Sequence, residues 1–152
     1  MDTKRFYLTE DGVQKLKKEQ EDLLKNRPHV ISELQRAREL GDLSENGLYK
    51  ASRGKLSSID SRLRYIGYVL KRVDLITNMP KETVQVGSKI SLKVGGKTIV
   101  YELVGSLEAD PGNGKISNES PLGKKLLNRK KGDLVVLSLP ENKIEYQVLD
   151  IA

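Results

Sequence analysis

Two periods divide the chain. From Thr9 to about Ile76 the apolar positions recur with the spacing of a helix: Val13, Leu16, Leu23, Leu24, Val30, Ile31, Leu34, Ala37 and Leu40. Thr9 is placed to cap the first helix, with Glu10 and Asp11 in its first turn, where carboxylates favour the positive helix end. Pro28 interrupts the series and predicts a kink or short break, because its ring clashes with the preceding turn. After Gly41 the pattern restarts. Tyr49, Leu56, Leu63 and Leu70 are seven apart, and Ser52, Ile59, Ile66 and Val73 fill the second seam position, about four heptads in all. Two such helices joined by a short turn predict an antiparallel coiled-coil hairpin. At 1.5 Å per residue, residues 45–73 would make a rod of roughly 43 Å. A dimerising coiled coil is the rival, disfavoured by the helix-breaking turn at Gly41.

Beyond "TNMPKETVQVG" (77–87) the period drops to two. "SKISLKV" and "KTIVYELV" flank Gly95-Gly96, a two-residue hairpin signal. "LEADPGNGK" reads as a loop. "SPLGKKLL" reads as a short helix, with Ser120 as its cap and Pro121 at its first position. "DLVVLSL" and "KIEYQVLDI" form a second hairpin around "PEN". The expected class is α+β: a helical hairpin over 1–76, a linker at 77–83, and a small antiparallel sheet domain with one short helix over 84–152.

Composition narrows the picture without changing it. The 152 residues are 37% hydrophobic and 32% charged, with one Phe and no Trp, so no single large core is available. Cysteine is absent, which removes disulfides and thiolate metal sites and fits a reducing cytoplasm. No window reaches membrane-spanning length and the N-terminus lacks a leader pattern, so a secreted or membrane protein is not expected. Net charge is +6, moderate enough to permit an anionic partner without demanding one. Lys+Arg exceed Asp+Glu by 16 to 12 up to Ile76 and by 11 to 9 beyond. Against that basic background, the turn itself carries acids.

The turn is "ELGDLSENGLYK" (39–50). Asp42 and Glu45 are three apart, which suits a variant capping box, with Asp42 as N-cap and Glu45 at the third helical position. The same spacing can set two carboxylates side by side for one hard cation. Two carboxylates cannot hold Mg2+ tightly alone, since this ion keeps several waters and takes further ligands from substrate phosphates. Capping and incomplete metal site both remain open on local sequence.

The stretch "RPHVISELQRARELGDLSENGLYKASRGKLSSIDSRL" resembles the tip region of the GreA/GreB transcript-cleavage factors. The family pattern of Ala, Arg, Glu-Leu-Gly-Asp-x-x-Glu-Asn and a following Tyr is matched by Ala37, Arg38, Glu39 to Asp42, Glu45, Asn46 and Tyr49. "LEADPGNGKISNESPLGKKLL" and "KGDLVVLSLPENKIEYQVLDI" resemble the second half of the family in the same order. The resemblance implies an N-terminal coiled-coil hairpin and an FKBP-like C-terminal domain. It implies a factor that inserts the hairpin into the secondary channel of bacterial RNA polymerase and stimulates the polymerase's cleavage of backtracked RNA. Asp42 and Glu45 would then share the second catalytic Mg2+ with the polymerase, with no metal in the free protein. Arg38, Lys50 and Arg53 would contact RNA or polymerase, and Ser120, Pro121 and Leu122 would dock on the channel rim. The partners implied are RNA polymerase and the 3′ end of the nascent RNA, with the factor itself a monomer. One departure stands out: where the family often carries a further acid before the Tyr, this chain has Gly47-Leu48.

Other readings are weaker. A family member that only occupies the channel and inhibits would be expected to crowd more acids at the tip. A prolyl isomerase needs an aromatic-lined pocket, and the C-terminal half has only Tyr101 and Tyr146. No nucleophile–base set marks an independent enzyme. His29, the single histidine, follows no metal spacing.

Overall fold

The computed structural model describes residues 4–41, 45–77 and 82–152. The elements run β1 (Phe6–Leu8), α1 (Glu10–Glu39), α2 (Gly47–Leu70), β2 (Val73–Leu75), β3 (Lys89–Val94), β4 (Lys97–Val104), a 3-10 turn (Pro111–Asn113), β5 (Lys115–Ser117), α3 (Pro121–Leu126), β6 (Leu134–Ser138) and β7 (Lys143–Ile151). They form two compact units. One spans Val13–Arg72; the other joins the residues up to Gly12 to those from Val73 onward.

In the helical unit the seam follows the heptads. Ser52, Ile59 and Ile66 are buried on α2, with Val30 and Ala37 on α1. Burying a side chain such as Ile59 or Ile66 contributes about 1.5–3 kcal/mol. Leu24, Ile31 and Leu40 instead lie exposed, outside the seam. Ion pairs fix the antiparallel register: Arg62 donates to Glu19 at 2.6 and 2.9 Å, and Arg27 to Asp60 at 2.6 and 3.2 Å. Hydrogen bonds from the guanidinium hold the Glu19 carboxyl below its ordinary range beside Arg62, and the Asp60 carboxyl likewise beside Arg27. These part-exposed pairs add little energy; what they contribute is alignment. His29 is exposed, 3.5 Å from Glu33.

Of the kink or short break expected at Pro28, the break is absent: α1, 30 residues long, continues through it. Pro28 and Leu24, four residues earlier, are both exposed, so the carbonyl that loses its donor lies on the water side. The fourth heptad is also absent, because α2 ends at Leu70 and Val73 opens β2. β2 pairs in parallel with β1, Phe6 opposite Val73 and Leu8 opposite Leu75. A bidentate ion pair from Arg5 to Asp74 flanks the pairing.

The larger sheet has the order β5-β4-β3-β7-β6. β3 and β4 turn at Gly95-Gly96, both at positive φ, as the primed hairpin turns require. The sheet is mixed rather than wholly antiparallel: β5 runs parallel to β4, after the crossover through the 3-10 turn. One face of the sheet buries Ile90, Leu92, Leu103, Ile116, Val135, Tyr146 and Val148 together with Leu126 of α3.

The first turn of α1 is capped from far along the chain. Thr9 Oγ1 accepts from Gly12 N at 3.0 Å, as predicted for the N-cap. Glu108 then receives Thr9 N at 2.8 Å and Thr9 Oγ1 at 2.6 Å. A capping box normally takes its carboxylate from the third helical position. Here that position is Gly12, and an added Cβ would sit 2.4 Å from Glu108 Oε1. Gly54, in the exposed interior of α2, has nothing within 4 Å of its missing Cβ. The same substitution should therefore act in opposite directions at the two sites. Gly54→Ala is expected to stabilise by about 1 kcal/mol through helix propensity. Gly12→Ala is expected to destabilise by about 1 kcal/mol net. It displaces a carboxylate whose bonds are each worth roughly 1.5–3 kcal/mol. Thermal melting of both variants, with Gly12→Ala repeated in a Glu108→Ala background, checks this; a loss at Gly12 that persists without Glu108 would refute the steric cause.

Candidate functional site: the hairpin tip

α1 ends with basic residues Arg36 and Arg38 in its last turn, where cations suit the negative helix end. Leu40 N donates to Ala37 O at 3.3 Å and Gly41 N to Arg38 O at 3.5 Å. Gly41 has φ of 116°, a left-handed conformation natural to glycine just past a helix. Buried Ala37 and Ser52 are small, which suits close approach of the two helices near the tip.

The cap of α2 is Asn46, not Asp42. Its Oδ1 accepts from Tyr49 N at 3.0 Å, and its Nδ2 donates to Ala37 O at 2.7 Å. Glu45 is thus the residue before the cap rather than the third residue of the helix, and the first turn of α2 holds no acid. Asparagine wins here because it both accepts and donates, so one amide caps α2 and ties it to the end of α1. An aspartate could only accept. The capping-box reading of the acid pair is overturned on this geometry. Asp42 itself lies outside the described residues. Glu45 is exposed, with no hydrogen-bond or ion-pair partner among the described residues.

Arg38, Lys50 and Arg53 are all exposed and bonded to no acid among the described residues. Lys50 and Arg53 share a side of α2 by their spacing of three. Arg38 has its guanidinium carbon 5.9 Å from the centre of the Tyr49 ring. Leu48 is 51% exposed, an apolar side chain in the first turn of α2.

The second predicted cluster divides. Ser120 Oγ accepts from Gly123 N at 3.0 Å and donates to Ser117 O at 2.6 Å, so it is committed to holding α3. Leu122 packs against the sheet core. Pro121, between them, is exposed. Tyr146 is buried in that core and Tyr101 packs against it.

Sequence reading placed Asn46 and Tyr49 in the tip motif but missed Asn46 as the cap of α2 and Tyr49 as its partner. The strong N-cap preference of Asn was a usable signal. Its second bond, to Ala37, left none. Among the described residues no group of three or more His, Asp or Glu could hold a metal ion, and no helix is long and apolar enough to cross a membrane.

Comparison with known proteins agrees across the whole chain. The family model "Transcription elongation factor, N-terminal" matches residues 6–75, and "Transcription elongation factor, GreA/GreB, C-term" matches residues 79–152. The transcription elongation factor GreA of Thermomicrobium roseum is 36% identical over 155 aligned residues, covering 99% of each chain. That of Oenococcus oeni is 38% identical, covering 98% of this chain and 96% of the relative. Among solved structures, GreA factor homolog 1 of Thermus thermophilus aligns with 25% identity and a TM-score of 0.46, covering 98% of this chain and 99% of that one.

Proposed function

The chain belongs to the GreA/GreB family of transcription elongation factors, and from that premise we propose that it inserts its hairpin into the secondary channel of RNA polymerase and stimulates hydrolysis of backtracked RNA. The observation that carries this reading is the position of Glu45. With Asn46 capping α2, Glu45 is exposed and outside the helix. A carboxylate that does not cap α2, exposed and unpartnered among the described residues, is available to a partner.

Asp42 and Glu45 are hard oxygen donors of the kind Mg2+ takes, and as a pair they are too few to complete its shell. In the complex, the polymerase's own acids and the RNA phosphate would supply the remainder. Bound there, Mg2+ would activate the attacking water and neutralise charge on the phosphate. The chain's part is to place two carboxylates and to leave the chemistry to the polymerase; it is an accessory factor, not an enzyme. Exposed Arg38, Lys50 and Arg53 draw the hairpin toward phosphate without reading bases. Pro121 is the exposed member of the docking cluster on the rim. The factor acts as a cytoplasmic monomer.

Adding the protein to a defined backtracked polymerase complex tests the proposal. The expected result is RNA shortened from its 3′ end that the same polymerase can then extend. Unchanged RNA with arrested synthesis would point instead to a factor that occupies the channel and inhibits.

A further inference from the structure

The tip is interlocked by four residues drawn from both helices. Asn46 of the α2 cap donates to Ala37 O and accepts from Tyr49 N. The Tyr49 ring in turn lies near the guanidinium of Arg38, the residue after Ala37. Ala37 O also accepts from Leu40 N, so the last carbonyls of α1 are shared between the helix's own end and the cap of α2. Both ends of the segment that carries the acids are therefore held by one side-chain amide. We propose that Asn46 is the positioning residue of the acidic tip, acting through Glu45, its covalent neighbour, rather than by touching metal or RNA. This rests on the reading of Asp42 and Glu45 as metal-sharing acids.

The chemistry of the side chain carries the argument. Capping alone is served almost equally by Asn, Asp, Ser and, at a cost of a few tenths of a kcal/mol, Gly. The bond to Ala37 O is served by none of the last three. Aspartate would set a charged oxygen against a carbonyl, serine is too short to cap one helix while reaching the other, and glycine has no donor. A site that supplies only part of a metal's shell must hold its ligands close to the productive geometry, because misplacement by about 1 Å can cost a hundredfold in rate. An amide used at both ends is the device in this tip that fixes Glu45 relative to both helices.

The test uses the full chain with Asn46→Ser and Asn46→Gly, which keep an acceptable cap and lack the donor. Three quantities are read. The first is amide exchange at Leu40 and Gly41 in the free protein. The second is affinity for a backtracked polymerase complex. The third is the Mg2+ concentration giving half-maximal RNA cleavage at saturating factor. Both variants are expected to bind polymerase within about twofold of wild type, to exchange faster at the end of α1, and to need at least about threefold more Mg2+. A merely structural role would shift melting and exchange but leave the Mg2+ dependence where it was. Variants with wild-type Mg2+ dependence, beside a wild-type protein that cleaves, would overturn the positioning role alone. A wild-type protein that stimulates no cleavage at any Mg2+ concentration would overturn the metal-sharing reading and this inference with it.

Discussion

Asp42→Asn is expected to leave the melting midpoint within a degree or two of wild type while slowing stimulated RNA cleavage at least about tenfold, or roughly 1.4 kcal/mol of barrier. Asparagine is close to aspartate in size and lacks the charge that a shared Mg2+ needs. The structure removes N-capping as a competing explanation: α2 takes its cap from Asn46, not from Asp42. Glu45→Gln should behave alike, since Glu45 is exposed and precedes the cap. The measurement pairs thermal melting with single-turnover cleavage at saturating factor, so that weaker docking cannot pass for slower chemistry. Full cleavage by Asp42→Asn would remove it from the proposed site. Cleavage and melting falling together would return the acid to a structural role.

The second large effect is expected in the sheet unit, from Gly105→Ala. A Cβ at Gly105 would lie 1.9 Å from the backbone oxygen of Tyr7 and 2.8 Å from its carbonyl carbon. Neither is the movable end of a side chain, so β1 or the end of β4 must shift. Overpacking typically costs 1–3 kcal/mol and occasionally more; a backbone-on-backbone clash belongs at the upper end, about 3 kcal/mol. At roughly 4–8 °C per kcal/mol for a domain of this size, the sheet unit should melt some 12–24 °C lower. Scanning calorimetry decides it, with Gly54→Ala as the control for alanine in open space. A fall of less than a few degrees would mean that β1 does not approach Gly105 this closely in solution.

The two outcomes also separate what the sequence could reveal from what it could not. The α2 seam was legible because Ile59 and Ile66 are apolar, bulky and seven apart, and periodicity reports burial of that kind directly. Val73 was misread from the same evidence. A β-branched residue suits a strand as well as a seam, and three-residue β2 is too short to show a period of two. The Gly95-Gly96 turn was legible because its chemistry is local. Parallel β5 was not, since its partner is chosen by a crossover rather than by a tight turn. At the tip, Asp42 and Glu45 fit a capping box in sequence, and only the geometry of Asn46 could decide against it. Pro28 was weighed without knowing that its helix face meets water, which is what makes it tolerable there.

The clamp on Thr9 sets the order in which the chain can complete its contacts. Asn46 reaches Ala37 across nine residues, Arg5 reaches Asp74 across 69, and Thr9 meets Glu108 across 99. Loop-closure entropy alone makes the last of these about 2 kcal/mol harder to bring together than the first. During synthesis the tip can lock as soon as residues 37–49 have left the ribosome, and the helices can zip from there toward β1 and β2. The first turn of α1 then waits, uncapped by any carboxylate from Glu108, until more than two-thirds of the protein has been made. The earliest-made helix is thus among the last to be finished at its start, and a chain stopped before Glu108 would carry a locked tip on a helix start held by Thr9 alone.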